Sequence, residues 1–127
     1  MRTIKFRGLR VEYKKEYGQT PWKYGNLLNN TSIGEVGEGL KHYSYSIVKP
    51  ETVGQFTGFK DYKGIEIYEG DKISYFNKYS KRTFNHIVKW NDNLSCFALY
   101  EKDNKWAKEF DWISIQNIEV IGNIHEK

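Results

Sequence analysis

An alternation of polar and apolar residues with a period of two constrains the fold of this chain more than any other feature. Within Thr83–Trp90, four side chains fall on one face of an extended segment: Phe84, His86, Val88 and Trp90. Turn residues recur about every ten positions from Val53 onwards. This pattern is typical of short strands joined by tight turns, and it predicts an all-β fold of the barrel or sandwich type.

Two hairpins are the clearest elements of this pattern. The first joins Val53–Phe59 to Ile65–Tyr68 through a loop that ends at Gly64, where a positive φ angle is tolerated. The second joins the segment described above to Leu94–Tyr100 through Asn91–Asn93, because Asn and Asp accept left-handed backbone. We therefore expect the second half of the chain to be built from hairpins.

The first half of the chain is less regular. We expect three strands there: residues 4–11, 22–28 and 43–48. Asn29–Gly39 is rich in Gly and Asn, so we expect it to form an irregular loop. Pro50 restrains the backbone after these strands and marks a boundary. The sequence thus predicts a β-rich subdomain over residues 1–50 and a second subdomain over residues 51–127.

The composition predicts a soluble protein of the cytoplasm. Rings occupy 21 of the 127 positions, enough large side chains to build a core in a short chain. No apolar run approaches the roughly 20 residues of a membrane helix, and the N-terminus has no apolar signal segment. Cys96 is the single cysteine, so an internal disulfide is excluded.

No pattern in the sequence points to catalysis. In the predicted second hairpin, His86 and Cys96 lie on facing strands within a couple of residues of register, but the apolar neighbours of Cys96 favour a buried, inert thiol. The histidines lack ligand spacing, and the cluster around Gly34 lacks the lysine of a phosphate-binding loop. We expect no catalytic residue, metal, cofactor or small-molecule substrate.

One segment alternates cations with rings. Single-stranded nucleic acids are bound in this way, with cations on the phosphates and rings stacked on the bases. The residues concerned are Lys72, Tyr75, Phe76, Lys78, Tyr79, Lys81 and Arg82. The alternative is structural, with Tyr75 facing the core while the lysines keep a long loop in solution.

The number of rings also favours an interaction protein. It exceeds the needs of a small core, so some rings are expected on the surface, where they favour contact with a partner. The candidates lie in the first half of the chain: Trp22, Tyr24, Tyr43 and Tyr45. The partner would be a second copy of the chain or another protein.

Three segments resemble the YopX family of phage and prophage proteins: Ile4–Arg7, Gly54–Asp71 and Ile118–Glu126. The middle segment reads T-G-x-K-D-x-x-G-x-E-I-Y-E-G-D from Thr57. The resemblance implies an all-β protein, with a small SH3-like barrel in its C-terminal half, carried by phages or prophages of Gram-positive bacteria. It implies no activity, and we interpret Asp71 as a cap on exposed backbone amides.

These observations lead to one expected role and one alternative. We expect a phage or prophage accessory protein that acts in the cytoplasm of its host without catalysis, by binding itself or a host or phage protein. The alternative is a nucleic-acid-binding module that uses residues 72–82.

Overall fold

The computed structural model describes residues 3–29, 31–36, 43–102, 105–109 and 117–125. It confirms the all-β class, since the described residues form strands and two short 3-10 turns, Lys15–Tyr17 and Pro50–Thr52. None of the helical segments in this part of the chain is long and apolar enough to span a bilayer. In chain order the strands are β1 (Phe6–Leu9), β2 (Trp22–Asn29), β3 (Ser32–Val36), β4 (Tyr43–Ile47), β5 (Gly54–Lys60), β6 (Glu66–Tyr68), β7 (Asp71–Asn77), β8 (Arg82–Asn91), β9 (Cys96–Tyr100), β10 (Trp106–Glu109) and β11 (Ile118–Asn123).

The first of two compact units covers residues 1–56. Its strands β1 to β4 pair in sequence order, each antiparallel to the next. The sheet curls, because Arg10 after β1 forms a bridge with Val48 after β4. Ile33 and Val48 are buried, and a Cβ atom on Gly8 would lie 3.0 Å from Val48. A glycine in β1 therefore allows the end of β4 to pack closely against it.

The second unit covers residues 57–127 and contains a five-stranded antiparallel sheet in the order β10-β9-β8-β7-β11. Alternate residues of its strands point to one face, where they meet Ile67 of β6. The core of this unit consists of Ile67, Ile73, Val88, Phe97, Leu99 and Ile118. Phe59, Tyr75 and Val120 pack against its margin.

The expected SH3-like barrel in the C-terminal half is not closed. In the described part of the second unit, the sheet ends at β10 on one side and at β11 on the other. A loop, rather than another strand, meets β11 beyond β7: Tyr62 N donates to Ile118 O at 3.1 Å, and Val120 N donates to the Asp61 carboxylate at 3.0 Å. Since these groups of β11 bond to a loop, the sheet stays open at this edge.

The prediction of an irregular segment at Asn29–Gly39 is wrong for its middle part, because Ser32–Val36 forms β3. This strand pairs with both β2 and β4 and carries the fully buried Ile33. Gly34, which contributed to the loop-like composition, lies opposite Asn26 on one side and Tyr45 on the other. Residues 37–40 lie outside the described part of the chain.

Candidate functional site

The segment that carries the family resemblance forms hydrogen bonds within the second unit. The Thr57 hydroxyl donates to Ile67 O at 2.8 Å and accepts from Phe59 N at 3.2 Å. Thr57 is buried, so its bond to Ile67 connects β5 to β6 away from solvent, whereas the bond from Phe59 lies within β5. The role of Thr57 in the motif is therefore structural.

Asp61 organises the loop between β5 and β6. Its carboxylate accepts hydrogen bonds from the amides of Lys63 and Ile65, both at 2.9 Å, and from Val120 N at 3.0 Å. Nearby, Lys63 Nζ donates to Glu119 Oε1 at 2.8 Å, and this contact raises the pKa of Lys63 above its ordinary value. A buried carboxylate thus joins the loop to β11, and an exposed ion pair lies beside it.

Asp71 forms a second carboxylate cap. Its Oδ2 accepts a hydrogen bond from Tyr68 N at 2.7 Å, and the residue is almost fully buried. The neighbouring Gly70 has a φ of 90°, which suits glycine, and its amide and carbonyl bond to Val88 and Ile124. The interpretation of Asp71 as a backbone cap is confirmed, although the capped amide precedes the turn.

The expected proximity of Cys96 and His86 is not observed. Cys96 lies opposite Asn91, five residues along β8 from His86, because the turn extends from Asp92 to Ser95. Cys96 is half-buried, whereas His86 is buried, with its Nε2 3.7 Å from Glu101 Oε1. The described residues bring together no group of three or more His, Cys, Asp or Glu side chains that could hold a metal ion.

The basic and aromatic segment folds into a two-stranded arm, here defined as Phe76–Asn85. Among the described residues, β11 pairs with β7 as far as Tyr75, and β9 pairs with β8 from Ile87. Within this part of the chain the arm therefore extends beyond both neighbouring strands. At its tip, Asn77 Oδ1 accepts hydrogen bonds from the amides of Tyr79 and Ser80 at 2.9 and 3.2 Å. The side chain of Asn77 therefore orders the turn.

The structure divides the seven predicted nucleic-acid-binding residues between two faces and the tip. Tyr75 faces the core and stacks on Phe84 and His86, with centroids 5.6 and 5.5 Å away. Phe76 points to the opposite face and is 48% exposed, and Tyr79 at the tip is 100% exposed. The four cations are also exposed: Lys72 on the same face as Phe76, and Lys78, Lys81 and Arg82 around the tip.

Sequence reasoning missed Lys89 as a member of this surface. Lys72 lies directly opposite Ile87, so Lys89, two residues further along β8, points to the same face as Lys72 and Phe76. Its Nζ lies 5.8 Å from the ring centroid of Tyr100. The period-two pattern of β8 shows that Lys89 points away from the core-facing residues. Only the register between β7 and β8 shows that it shares a face with Lys72.

A second exposed surface lies in the first unit. Tyr45 and Ile47 are 56% and 57% exposed and share one face of β4. Each lies opposite a small residue of β3, Gly34 and Ser32 respectively. We call Tyr45 and Ile47 the β4 strip. Because their β3 neighbours are small, the two side chains stand above the strand beside them.

The other predicted interface rings have different surroundings. The Trp22 ring is half-buried, with the Arg7 guanidinium 4.6 Å from its centroid. Tyr24 of β2 is 44% exposed and lies opposite Arg7 of β1. Tyr43 begins β4 opposite Val36, and its side chain lies outside the described part. Of the four rings, Tyr24 and Tyr45 are therefore the two that the structure shows exposed.

Comparisons with known proteins agree with this architecture. The crystal structure of protein EF1440 from Enterococcus faecalis is similar, with a TM-score of 0.52 and 22% identity over 99% of this chain and 96% of that one, which concerns the fold alone. No curated protein matches the sequence. A family model described as YopX protein matches residues 5–127. Since that match spans nearly the whole chain, the protein belongs to the YopX family.

Proposed function

We propose that this protein is a phage or prophage accessory protein that acts in the bacterial cytoplasm by docking onto another protein, without catalysis. The docking partner is a second copy of the chain or a host or phage protein. The observation that carries this proposal is the β4 strip, where Tyr45 and Ile47 are each more than half exposed above small neighbours. Family membership supports the phage context but gives no activity.

The chemistry of the β4 strip suits a protein partner. Exposed apolar surface is unfavourable in water by about 25 cal/mol per Å², and a partner that covers it recovers this free energy. Tyrosine is enriched at the centres of protein interfaces, because it combines a large ring with a polar end. Neither residue is charged, so no ionic group needs to be desolvated when the strip is covered.

Light scattering over a range of protein concentrations tests docking between copies. We expect the wild-type mass to rise with concentration, and the double variant Tyr45→Ser, Ile47→Ser to remain monomeric. Tyr17→Ser, Ile4→Ser is the matched control, because these side chains are also exposed and lie in the same unit.

If the wild type stays monomeric, the partner must be another protein, and affinity capture from induced host cells should then depend on the β4 strip. Capture unaffected by the double variant, or equally reduced by the control, contradicts the proposal.

A second candidate function, binding of nucleic acid, is favoured by the tip of the arm. The Tyr79 ring is fully exposed there and is accompanied by Lys78, Lys81 and Arg82. No acidic residue occurs between Lys72 and Asn91. We expect affinity for DNA or RNA at low ionic strength that falls steeply as salt is added, because bound cations release counterions. Absence of salt-sensitive binding at low ionic strength contradicts this second function.

A further inference from the structure

We infer that one face of the β7–β8 hairpin is a track for unpaired nucleic acid, running from Lys89 to the Tyr79 ring at the tip. The inference rests on the second candidate function and specifies its ligand and its residues. It replaces Tyr75, which faces the core, with Lys89 and with uncharged polar residues of the same face.

The register of the hairpin defines the track. Three cross-strand pairs share the face: Lys72 with Ile87, Ser74 with Asn85, and Phe76 with Thr83. Lys89 extends this face at one end, and the turn with Lys78, Tyr79 and Lys81 extends it at the other. Arg82, at the start of β8, lies seven positions from Lys89, about 23 Å at the rise of a strand. Cations therefore lie at both ends of the hairpin face. The middle of the hairpin carries no charge of its own, and Glu119 of β11, which lies opposite Ser74 on this face, is paired with Lys63.

The charge of the second unit is unevenly distributed along its sequence. Residues 57–127 contain eleven Lys and Arg and eleven Asp and Glu, so this unit has no net charge. Five of those cations lie between Lys72 and Asn91, a range without any acid. Attraction of a polyanion by this unit therefore depends on the local hairpin rather than on a general positive charge. This arrangement favours a polyanion such as a nucleic acid over a neutral peptide surface.

The rings favour an unpaired strand over a duplex. Phe76 lies on the face of a sheet, where an aromatic side chain can stack only on a base whose own face is accessible. Bases in a duplex are stacked on one another and present only their edges to the grooves. Tyr79 adds a second ring on a turn that Asn77 has already ordered, so little backbone ordering is needed on binding.

Fluorescence anisotropy of the full chain with a labelled oligodeoxythymidine tests the track. We expect tighter binding of this probe than of a duplex of equal length, and a loss of about tenfold in affinity for Tyr79→Ala and for Phe76→Ala. Tyr62→Ala removes an exposed ring of the same unit outside the hairpin and should leave the affinity unchanged. Circular dichroism confirms that each variant is folded.

Charge variants give an independent readout. Lys72→Gln and Lys89→Gln should each reduce the slope of log affinity against log salt by about 0.7, the value for one phosphate contact on a single strand. Lys49→Gln removes one charge from the first unit and should leave the slope unchanged.

Three results would overturn the track. Equal or tighter binding of the duplex would refute the choice of an unpaired strand. If the protein binds nucleic acid but none of the hairpin variants weakens binding, the residues assigned to the track are wrong, while the second candidate function still holds. Complete absence of nucleic-acid binding would refute both, without bearing on docking at the β4 strip.

Discussion

At the scale of single residues, a few buried polar side chains hold the second unit together. The Asp61 carboxylate accepts three backbone hydrogen bonds, two from its own loop and one from Val120. Such a group stabilises the fold because the carboxylate is buried and these three hydrogen bonds compensate for the water it has lost. These hydrogen bonds give the acid at position 61 of the motif a structural role.

Asp61→Asn tests this role. The amide side chain retains one acceptor oxygen but presents an NH₂ group to backbone N–H donors, so we expect the free energy of unfolding to fall by about 2 kcal/mol. Urea denaturation followed by fluorescence measures the change. Asp92→Asn, in an exposed turn, is the control and should change stability by less than about 0.5 kcal/mol. Equal effects of the two substitutions would contradict the cap.

Sequence reasoning reached Asp71 but not Asp61. The capping of a nearby amide is visible locally, because Tyr68 lies only three residues from Asp71. One partner of Asp61 is Val120, 59 residues away, and only the folded chain brings them together. The two hydrogen bonds of Asp61 within its own loop are local, so turn chemistry could have indicated them, whereas the bond to Val120 could not be predicted in this way.

At the scale of strands and turns, the sequence indicated which hairpins form, but it was less informative about which residues face one another across them. The hairpin of β5 and β6 follows the predicted turn at Gly64, and the hairpin of β8 and β9 was also predicted. The second turn is longer than expected, since it extends from Asp92 to Ser95, and Ser95 has a positive φ of 50°. A change of this size in the turn shifts the register, and it separates Cys96 from His86.

Asn77→Ala tests the order of the arm. Loss of the two hydrogen bonds to its side chain should make the amides of Tyr79 and Ser80 exchange with solvent about fivefold faster, equivalent to about 1 kcal/mol. Hydrogen exchange measured by NMR resolves these amides. Amides of the core strands should keep their rates, and Asn85→Ala, at an exposed position of β8, serves as the control. Unchanged exchange at the tip would contradict the assigned role of Asn77.

At the scale of the whole molecule, closure of the sheets was the least predictable feature. Period-two alternation shows which residues face a core but not whether the last strand meets the first. In the first unit, the bridge between Arg10 and Val48 brings the end of β1 next to the end of β4, and in the second a loop meets β11 instead. Both outcomes depend on pairings between distant residues, which no local pattern encodes.

Leu99→Ala tests how much the small core contributes. Leu99 is fully buried among the core residues of the second unit. We expect its replacement to lower the free energy of unfolding by about 3 kcal/mol, because apolar contacts are lost and a cavity is left. That is a large share of the total free energy of unfolding of a typical domain, which is roughly 5–15 kcal/mol. Leu94→Ala, in the exposed turn before β9, is the matched control. Similar thermal midpoints for the two variants would contradict this description of the core.

The exposed tip of the arm also determines where the chain can be cut. Lys78, Lys81 and Arg82 lie together there, and trypsin cleaves after such residues. A nick at the tip divides the backbone between β7 and β8, but β7 in the first fragment remains paired with β8 and β11 in the second. The two fragments should therefore stay associated after digestion, which makes the tip a natural place to split this protein into complementing halves.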